Sequence, residues 1–275
     1  MEKSVLVTGC SSGIGFCAAE TLKKRGWRVF ATARKLEDVP ALAQKGFESL
    51  QLDLADSGSI SSAVNKVLEM TDGKLYAVFN NGAYGLPGAV EDLTRDALRE
   101  QFEINVFGTQ ELTNLLIPVM RQNGAGRIVQ NSSVLGLVSP PMRGAYNSSK
   151  YALEALSDCM RMELHGSGVF VSIIEPGPIS TKFRENAYKA FKKYIDPEKS
   201  FHREKYVGLV KKLETEGPVA SFTLQPDAVV KKLIHALENP RPKIRYYVTF
   251  HTHVAGLLRR ILPYRLLDVV LKKGG

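Results

Sequence analysis

Short apolar runs alternate with longer helix-like segments along this chain, and glycines bridge the first alternation. Residues 4–8 read as a strand, and T-G-C-S-S-G-I-G turns them directly into a helix over 13–25. Gly26 follows where a helix C′ residue belongs. Further strands are expected at 28–32, 49–52, 75–80, 127–130, 169–174 and 246–250. Helices are expected at 57–70 with Ser57 as N-cap, and at 94–122, 143–165 and 229–238. Strands of this length separated by helices predict a parallel sheet covered on both faces, whose strands need not alternate polar and apolar. Residues 182–222 break the rhythm: they are basic, lean towards helix and contain no clear strand. We read them as a mobile lid or substrate cap on a single α/β domain over 1–275, because no linker-like stretch divides the chain.

Composition narrows the classes of function. With 275 residues, 44% of them hydrophobic, the chain can bury one sizeable core. Its three cysteines have no metal-like spacing and form no disulfide framework, which fits a reducing compartment, and we expect the cytoplasm. No signal-peptide core precedes the first strand, and no apolar run reaches the ~18 residues of a spanning helix. The net charge of +9 lies largely in pairs such as Lys192-Lys193 and Lys231-Lys232. A solvated surface accounts for them; an anionic ligand or acidic membrane is the other reading, and no nucleic-acid motif is present. The tail over 254–275 mixes leucine and valine with basic residues around Pro263. That pattern suits contact with a membrane surface, or packing on its own domain or a partner subunit.

Tyr146 and Lys150 stand four residues apart in Y-N-S-S-K, with Ser133 thirteen residues upstream. On a helix the phenol and the ammonium share a face. A fixed ammonium favours the phenolate, so the spacing predicts a tyrosine pKa below the ordinary ~10 and a proton-transfer group usable near neutrality. At the other end, Gly9, Gly13 and Gly15 open the first helix after a strand, where free N–H groups can cradle phosphate. Ser11 and Ser12 add hydroxyl donors. A bare glycine turn is the alternative. The second strand ends in Thr32-Ala33-Arg34-Lys35, with none of the acids that hold an unphosphorylated ribose. Arg34 can instead grip a 2′-phosphate, which predicts NADP(H). Asp53, at the tip of the third strand, would hydrogen-bond an adenine amine or cap a turn.

Taken in order, these motifs resemble the short-chain dehydrogenase/reductase family over about residues 4–181. The resemblance adds Asn81-Gly82 after the fourth strand, Asn105 in I-N-V-F-G-T, and P-G-P-I-S-T at 176–181. Within the family, the chain looks most similar to the hydroxysteroid and retinol dehydrogenase-like branch, and more closely to bacterial NADP-dependent aldehyde reductases. The resemblance implies a doubly wound Rossmann fold with a seven-stranded parallel sheet and a catalytic tetrad of Asn105, Ser133, Tyr146 and Lys150. Ile14, Asn81, Ile179 and Thr181 join the glycine loop as implied cofactor contacts. Asn105 would hold a water linking Lys150 to solvent. In one departure, the family's Asn-Ala-Gly is here Asn81-Gly82-Ala83, from which we expect a modest local shift.

The implied chemistry is hydride transfer between NADP(H) and a carbonyl or alcohol, with Tyr146 as acid or base and Ser133 donating to the substrate oxygen. The 135–143 loop, Tyr84, Leu86 and Phe183 make an apolar mouth suited to a hydrophobic aldehyde or ketone, a retinoid or a steroid. A homo-oligomer is expected by analogy with the family. The competing reading is a catalytically silent NADP(H)-sensing regulatory or scaffold protein. His251 and His253, read as continuing a strand, share one face, but no metal site is assigned.

Overall fold

The computed structural model describes residues 2–217 and 220–273. Residue 1, residues 218 and 219 of the expected lid, and residues 274 and 275 of the expected tail lie outside them. Seven strands form one sheet: β1 Ser4–Val7, β2 Arg28–Ala33, β3 Glu48–Gln51, β4 Ala77–Asn80, β5 Gly126–Asn131, β6 Val169–Glu175 and β7 Arg245–Tyr247. Their order is β3-β2-β1-β4-β5-β6-β7, and every pairing is parallel. The chain reverses direction across the sheet between β1 and β4, the place where open α/β sheets bind their ligands. β1, β4 and β5 are buried along their whole length, as a sheet covered on both faces requires.

Connections supply the layers. Helices α1 Gly13–Lys24 and α2 Val39–Gln44 lie in the first half, followed by α3 Ser57–Met70. The long segment after β4 is α4 Arg95–Phe102 and α5 Thr109–Gln122, joined by a π-helical turn over Glu103–Gly108. Helix α6 is Gly144–Glu163. Beyond β6 come α7 Phe183–Tyr194, α8 Arg203–Glu214, α9 Asp227–Glu238, α10 Phe250–Ile261 and α11 Tyr264–Lys273. One core layer sets Ala18 and Leu22 of α1 and Leu233 and Leu237 of α9 against the sheet. The opposite layer uses Ile60 and Val64 of α3, Leu112 and Leu116 of α5, and Met160 of α6. A third cluster, around Leu86, Ala145, Phe191 and Tyr206, seats α7 and α8 over the C-terminal edge of the sheet.

Local chemistry explains the boundaries. Gly26 adopts φ +79° and its N–H meets the Lys23 carbonyl at 3.0 Å, while Trp27 N–H reaches Leu22 O at 3.1 Å. This Schellman closure ends α1 where the sequence places it. Helix α3 is capped by Asp56, not Ser57: the Asp56 carboxylate accepts from Gly58 N–H at 2.8 Å, and Ser57 is already helical. The last strand is shorter than expected. Thr249 caps α10 by accepting from Thr252 N–H, so Phe250 begins a helix. His251 and His253 therefore sit two residues apart on a helix and point to different faces, not to one strand face. Among the described residues no helix is long and apolar enough to cross a membrane.

Candidate active site

Each candidate follows the C-terminal end of a strand or stands on α6 or the π turn. The glycine loop leaves β1 with Gly9 at φ +72° and Gly13 at φ +59°. A Cβ on Gly15 would lie 2.2 Å from the Gly9 carbonyl oxygen and 2.7 Å from Asn81 Nδ2, so backbone approaches backbone where no side chain fits. Ser12 caps α1 without a side-chain hydrogen bond. Ser11 is exposed beside it, and Ile14 packs on the first core layer. The first turn of α1 therefore offers its N–H groups outward, as a phosphate cradle needs.

Arg34 is exposed just past β2, and its guanidinium makes no hydrogen bond or ion pair among the described residues; Lys35 instead pairs with Glu37 at 2.8 Å. Asp53 caps a turn with its Oδ1, which accepts from Ala55 N–H at 3.0 Å. Asn81 ties the loop to β4: its Nδ2 donates to Thr8 O at 2.9 Å, and the Thr8 hydroxyl oxygen accepts from Asn81 N–H (2.8 Å) and Gly82 N–H (2.7 Å). A Cβ on Gly82 would stand 3.2 Å from Thr8 and Leu54 side-chain atoms, so the exchanged glycine fills a tight contact. Thr181 comes within 3.2 Å of where a Gly13 Cβ would be, and its Oγ1 accepts from Phe183 N–H at 3.2 Å. Ile179 forms a bridge with Leu224 and packs on the first core layer.

The tetrad residues gather around the first two turns of α6. Asn105 lies in the π turn, whose extra residue breaks the helical register and swings the amide inward. Its Nδ2 donates to Tyr84 O (2.9 Å) and Ser149 Oγ (3.1 Å), and its Oδ1 accepts from Tyr84 N–H (3.1 Å). Asn105 thus reaches Ser149, the neighbour of Lys150, rather than the ammonium itself. Lys150 Nζ donates to Asn131 O at 2.7 Å, and Asn131 Nδ2 donates to Asn81 Oδ1 at 3.0 Å. A continuous hydrogen-bonded path therefore joins the lysine to the glycine loop. Asn131 was not singled out from the sequence, because a strand-end Asn in Q-N-S-S carries no spacing signal.

The phenol behaves differently from the sequence expectation. Burial pushes Tyr146 up to about 12, and the hydrogen bond with Ser133 only partly offsets this. Lys150 Nζ stands 5.7 Å from the Tyr146 ring centre, and burial pulls its own pKa down to about 8 against the attraction of Glu154. Desolvation therefore sets the direction of the phenol's shift, opposite to the downward one expected from the lysine. The cover is Phe183, at the start of α7, whose ring lies edge-on to Tyr146 with centres 5.3 Å apart. Gly85 makes room for both: a Cβ there would lie 2.7 Å from Phe183 and 3.2 Å from Tyr146.

A buried ionic cluster sits behind Lys150. Arg245 joins Glu154, Glu175 (2.8 Å) and Asp158 (2.5 Å). Burial, followed by the neighbouring Glu154, pushes Glu175 up to about 8, and burial raises Glu154 too.

A family model described as short chain dehydrogenase matches residues 3–191. The chain belongs to the short-chain dehydrogenases. This member is 44% identical to the uncharacterized oxidoreductase YbbO of Escherichia coli (strain K12), over 99% of this chain and 95% of that protein. It is 33% identical to the NADPH-dependent 3-dehydrocapnine reductase of Ornithobacterium rhinotracheale, over 98% and 95% of the two chains. Among solved structures, a short-chain dehydrogenase from Streptomyces avermitilis superposes with a TM-score of 0.79 at 29% identity, covering 98% of this chain and 93% of that one. The protein is accordingly an oxidoreductase with the NAD(P)-binding Rossmann fold of its family, acting on CH–OH or C=O groups.

Proposed function

We propose that this short-chain dehydrogenase is an NADP(H)-dependent reductase of hydrophobic aldehydes or ketones, which also oxidises the matching alcohols, and that it stands in the aldehyde-reductase group of the hydroxysteroid and retinol dehydrogenase-like branch. The observation that carries this reading is the Ser133–Tyr146–Lys150 arrangement at the sheet's C-terminal edge, tied by hydrogen bonds to the glycine loop. The residues fit a dinucleotide: Gly15 has no room for a side chain, α1 leaves its first N–H groups free of a side-chain cap, and Arg34 is exposed and makes no ion pair among the described residues. Gly9 to Gly15 would hold the pyrophosphate, Asn81, Ile179 and Thr181 the nicotinamide half, and Arg34 the 2′-phosphate. When bound, NADPH supplies the hydride that reduces the carbonyl carbon.

The chain's own residues manage the proton. Ser133 donates to the carbonyl oxygen as negative charge gathers there. Tyr146, a protonated phenol at neutral pH, gives its proton to that oxygen and completes the alcohol. The Lys150 ammonium, buried one turn along, then stabilises the phenolate left behind. In alcohol oxidation the same groups run in reverse. Helices α7 and α8 serve as the substrate cover, with Phe183 shielding the phenol from water.

Preference for NADP over NAD rests on Arg34 and is supported by the NADPH dependence of the O. rhinotracheale relative. Arg34→Ala should lower kcat/KM for NADPH about 10–100-fold while that for NADH changes little, the range expected for losing a charge-assisted bond. Equal losses with both cofactors would remove the preference. The reductase itself is tested by following NADPH near-ultraviolet absorbance with a panel of medium- and long-chain aldehydes, retinoids and steroids; no oxidation above background with any of them defeats it. We also read the protein as a cytoplasmic homo-oligomer. Leu257, Ile261, Leu266 and Val269 line exposed faces of α10 and α11 beside Arg260 and Arg265, which suits a second copy or an anionic membrane. Vesicle sedimentation and sizing of the Leu266→Glu/Val269→Glu variant decide between them: a drop in pelleting supports the membrane, and a drop in mass supports the second copy.

A further inference from the structure

Two cavities outside the candidate active site differ in how their walls are charged. The larger, about 400 Å³, runs along α8, where Glu198 and Glu214 offset Arg203 and Lys211. The smaller, about 230 Å³, is walled by α9, the edge strand β7 and α10. Lys232, Lys243, Arg245 and Arg260 line it together with His253, and no acidic residue does. Lys231, one residue away on α9, pairs with Asp227 at 2.9 Å. The side chains of Lys232, Lys243 and Arg260, by contrast, make no hydrogen bond or ion pair among the described residues. A concave wall of one sign concentrates its field on whatever ion enters.

Local geometry builds this wall from three elements. His253, Gly256 and Arg260 stand at i, i+3 and i+7 on α10 and so share one helix face. Gly256 lets β7 approach that face: a Cβ there would lie 2.6 Å from the Tyr247 ring and 2.8 Å from its hydroxyl oxygen. The Tyr247 ring lies edge-on to His253, with centres 5.5 Å apart. Its hydroxyl has no hydrogen-bond partner among the described residues, which leaves it a donor for a ligand. Tyr246 is the buried member of the wall, and its hydroxyl is fixed by Lys243 N–H at 2.9 Å and by His235 Nδ1 at 2.8 Å. Arg245 engages Glu154, Glu175 and Asp158, so the free donors are those of Lys232, Lys243, Tyr247 and Arg260.

We propose that this cavity is a phosphate-binding site, which takes a phosphomonoester group carried by a soluble metabolite or by a lipid headgroup. Three unpaired cations exceed what one carboxylate needs. A phosphomonoester brings close to two negative charges and three acceptor oxygens, enough to engage lysine, arginine and phenol donors from different sides. Volume sets the size of what enters. About 230 Å³ falls below the ~300–1,000 Å³ of a pocket that encloses a drug-sized ligand, so the charged group is held and the rest of the molecule stays outside. Neither the glycine loop nor Ser133, Tyr146 or Lys150 lines the cavity. The site therefore goes beyond the reductase reading and stands without it.

The experiment uses the protein carrying one equivalent of NADP, so that the glycine loop is filled. Titration calorimetry compares glycerol 3-phosphate with glycerol in wild type and in the Lys232→Gln/Lys243→Gln/Arg260→Gln variant. Wild type should bind the phosphate ester and not glycerol, and the triple variant should bind it about 10-fold or more weakly. Hydrogen exchange locates the site in wild type without any variant: glycerol 3-phosphate should protect amides within 243–247 and 253–260. Vesicle sedimentation assigns the source. Pelleting with phosphatidic acid above that with phosphatidylglycerol at equal charge, lost in the triple variant, supports a lipid headgroup; glycerol 3-phosphate binding without it supports a soluble ester. The proposal is overturned if wild type neither binds the ester nor pellets selectively, if the triple variant matches wild type, or if protection is confined to the glycine loop.

Discussion

Helix α6 buries charge in both of its halves and treats it in different ways. In its second half, Glu154 and Asp158 face Arg245 and Glu175 across β6 and β7, and three carboxylates share one guanidinium. In its first half, Lys150 is buried and donates to one neutral carbonyl. The paired cluster is a fastening: it ties α6 to the far edge of the sheet. Lys150, bonded to a carbonyl and drawn by Glu154 but in no ion pair among the described residues, keeps its charge available, because a low-dielectric site strengthens whatever charge arrives there later. Two adjacent stretches of one helix thus set a buried cation without an ion pair, at the candidate site, against buried charges whose partners are complete.

Breaking the front should stop chemistry and spare the fold. Tyr146→Phe should lower kcat by about a thousandfold or more, with NADPH affinity within a few-fold of wild type by fluorescence titration. Substantial turnover in this variant would dismiss Tyr146 as the proton donor. The rear should answer in the opposite way. Arg245→Met strands two buried carboxylates and should cost about 3–5 kcal/mol, seen as a fall in Tm of roughly 10 °C by calorimetry, with a much smaller change in kcat of the folded enzyme.

Proton linkage sharpens the same contrast. Glu175 has a folded pKa of about 8, above its ordinary 4.5, so the folded state holds its proton longer than the unfolded one. Its contribution to stability is full below about 4.5 and is lost as pH rises through about 8. Wild-type Tm should therefore fall between pH 5 and 8.5 by several degrees more than that of Glu175→Gln; parallel curves would show that the carboxyl does not titrate in this window. Lys150 has the opposite sign: its folded pKa of about 8 lies below the ordinary 10.5, so its share of stability is present above 10.5 and is lost as pH falls through 8. If Lys150 acts as proposed, the ammonium is the useful form, so carbonyl reduction should decline as pH rises through about 8.

The smallest effect is expected at the cover. Phe183→Ala removes an edge-on ring contact worth about 0.5–1.5 kcal/mol. It also admits water to Tyr146, so the alkaline limb of alcohol oxidation should move to lower pH. An unmoved limb would show that Phe183 is not what desolvates the phenol.

What could be read from the chain in advance was local. Strand and helix identities follow from periodicity and from stop signals such as Gly26, and these act within a few residues. The Tyr146–Lys150 spacing is legible for the same reason, and so is the missing acid after β2. The errors at Ser57 and at 246–250 are also local, since Asp56 and Thr249 are better caps than the neighbours favoured from sequence. Burial and pairing belong to the tertiary structure. Asn131 joins Lys150 to Asn81 across two strand ends, and Phe183 arrives from beyond β6 to cover Tyr146. Spacing placed the ammonium beside the phenol, but the sign of the phenol's shift was decided by how much water the fold excludes. That exclusion is set by residues far away in the chain, because desolvation depends on everything that packs around a group, whereas helical spacing depends only on the backbone that carries it.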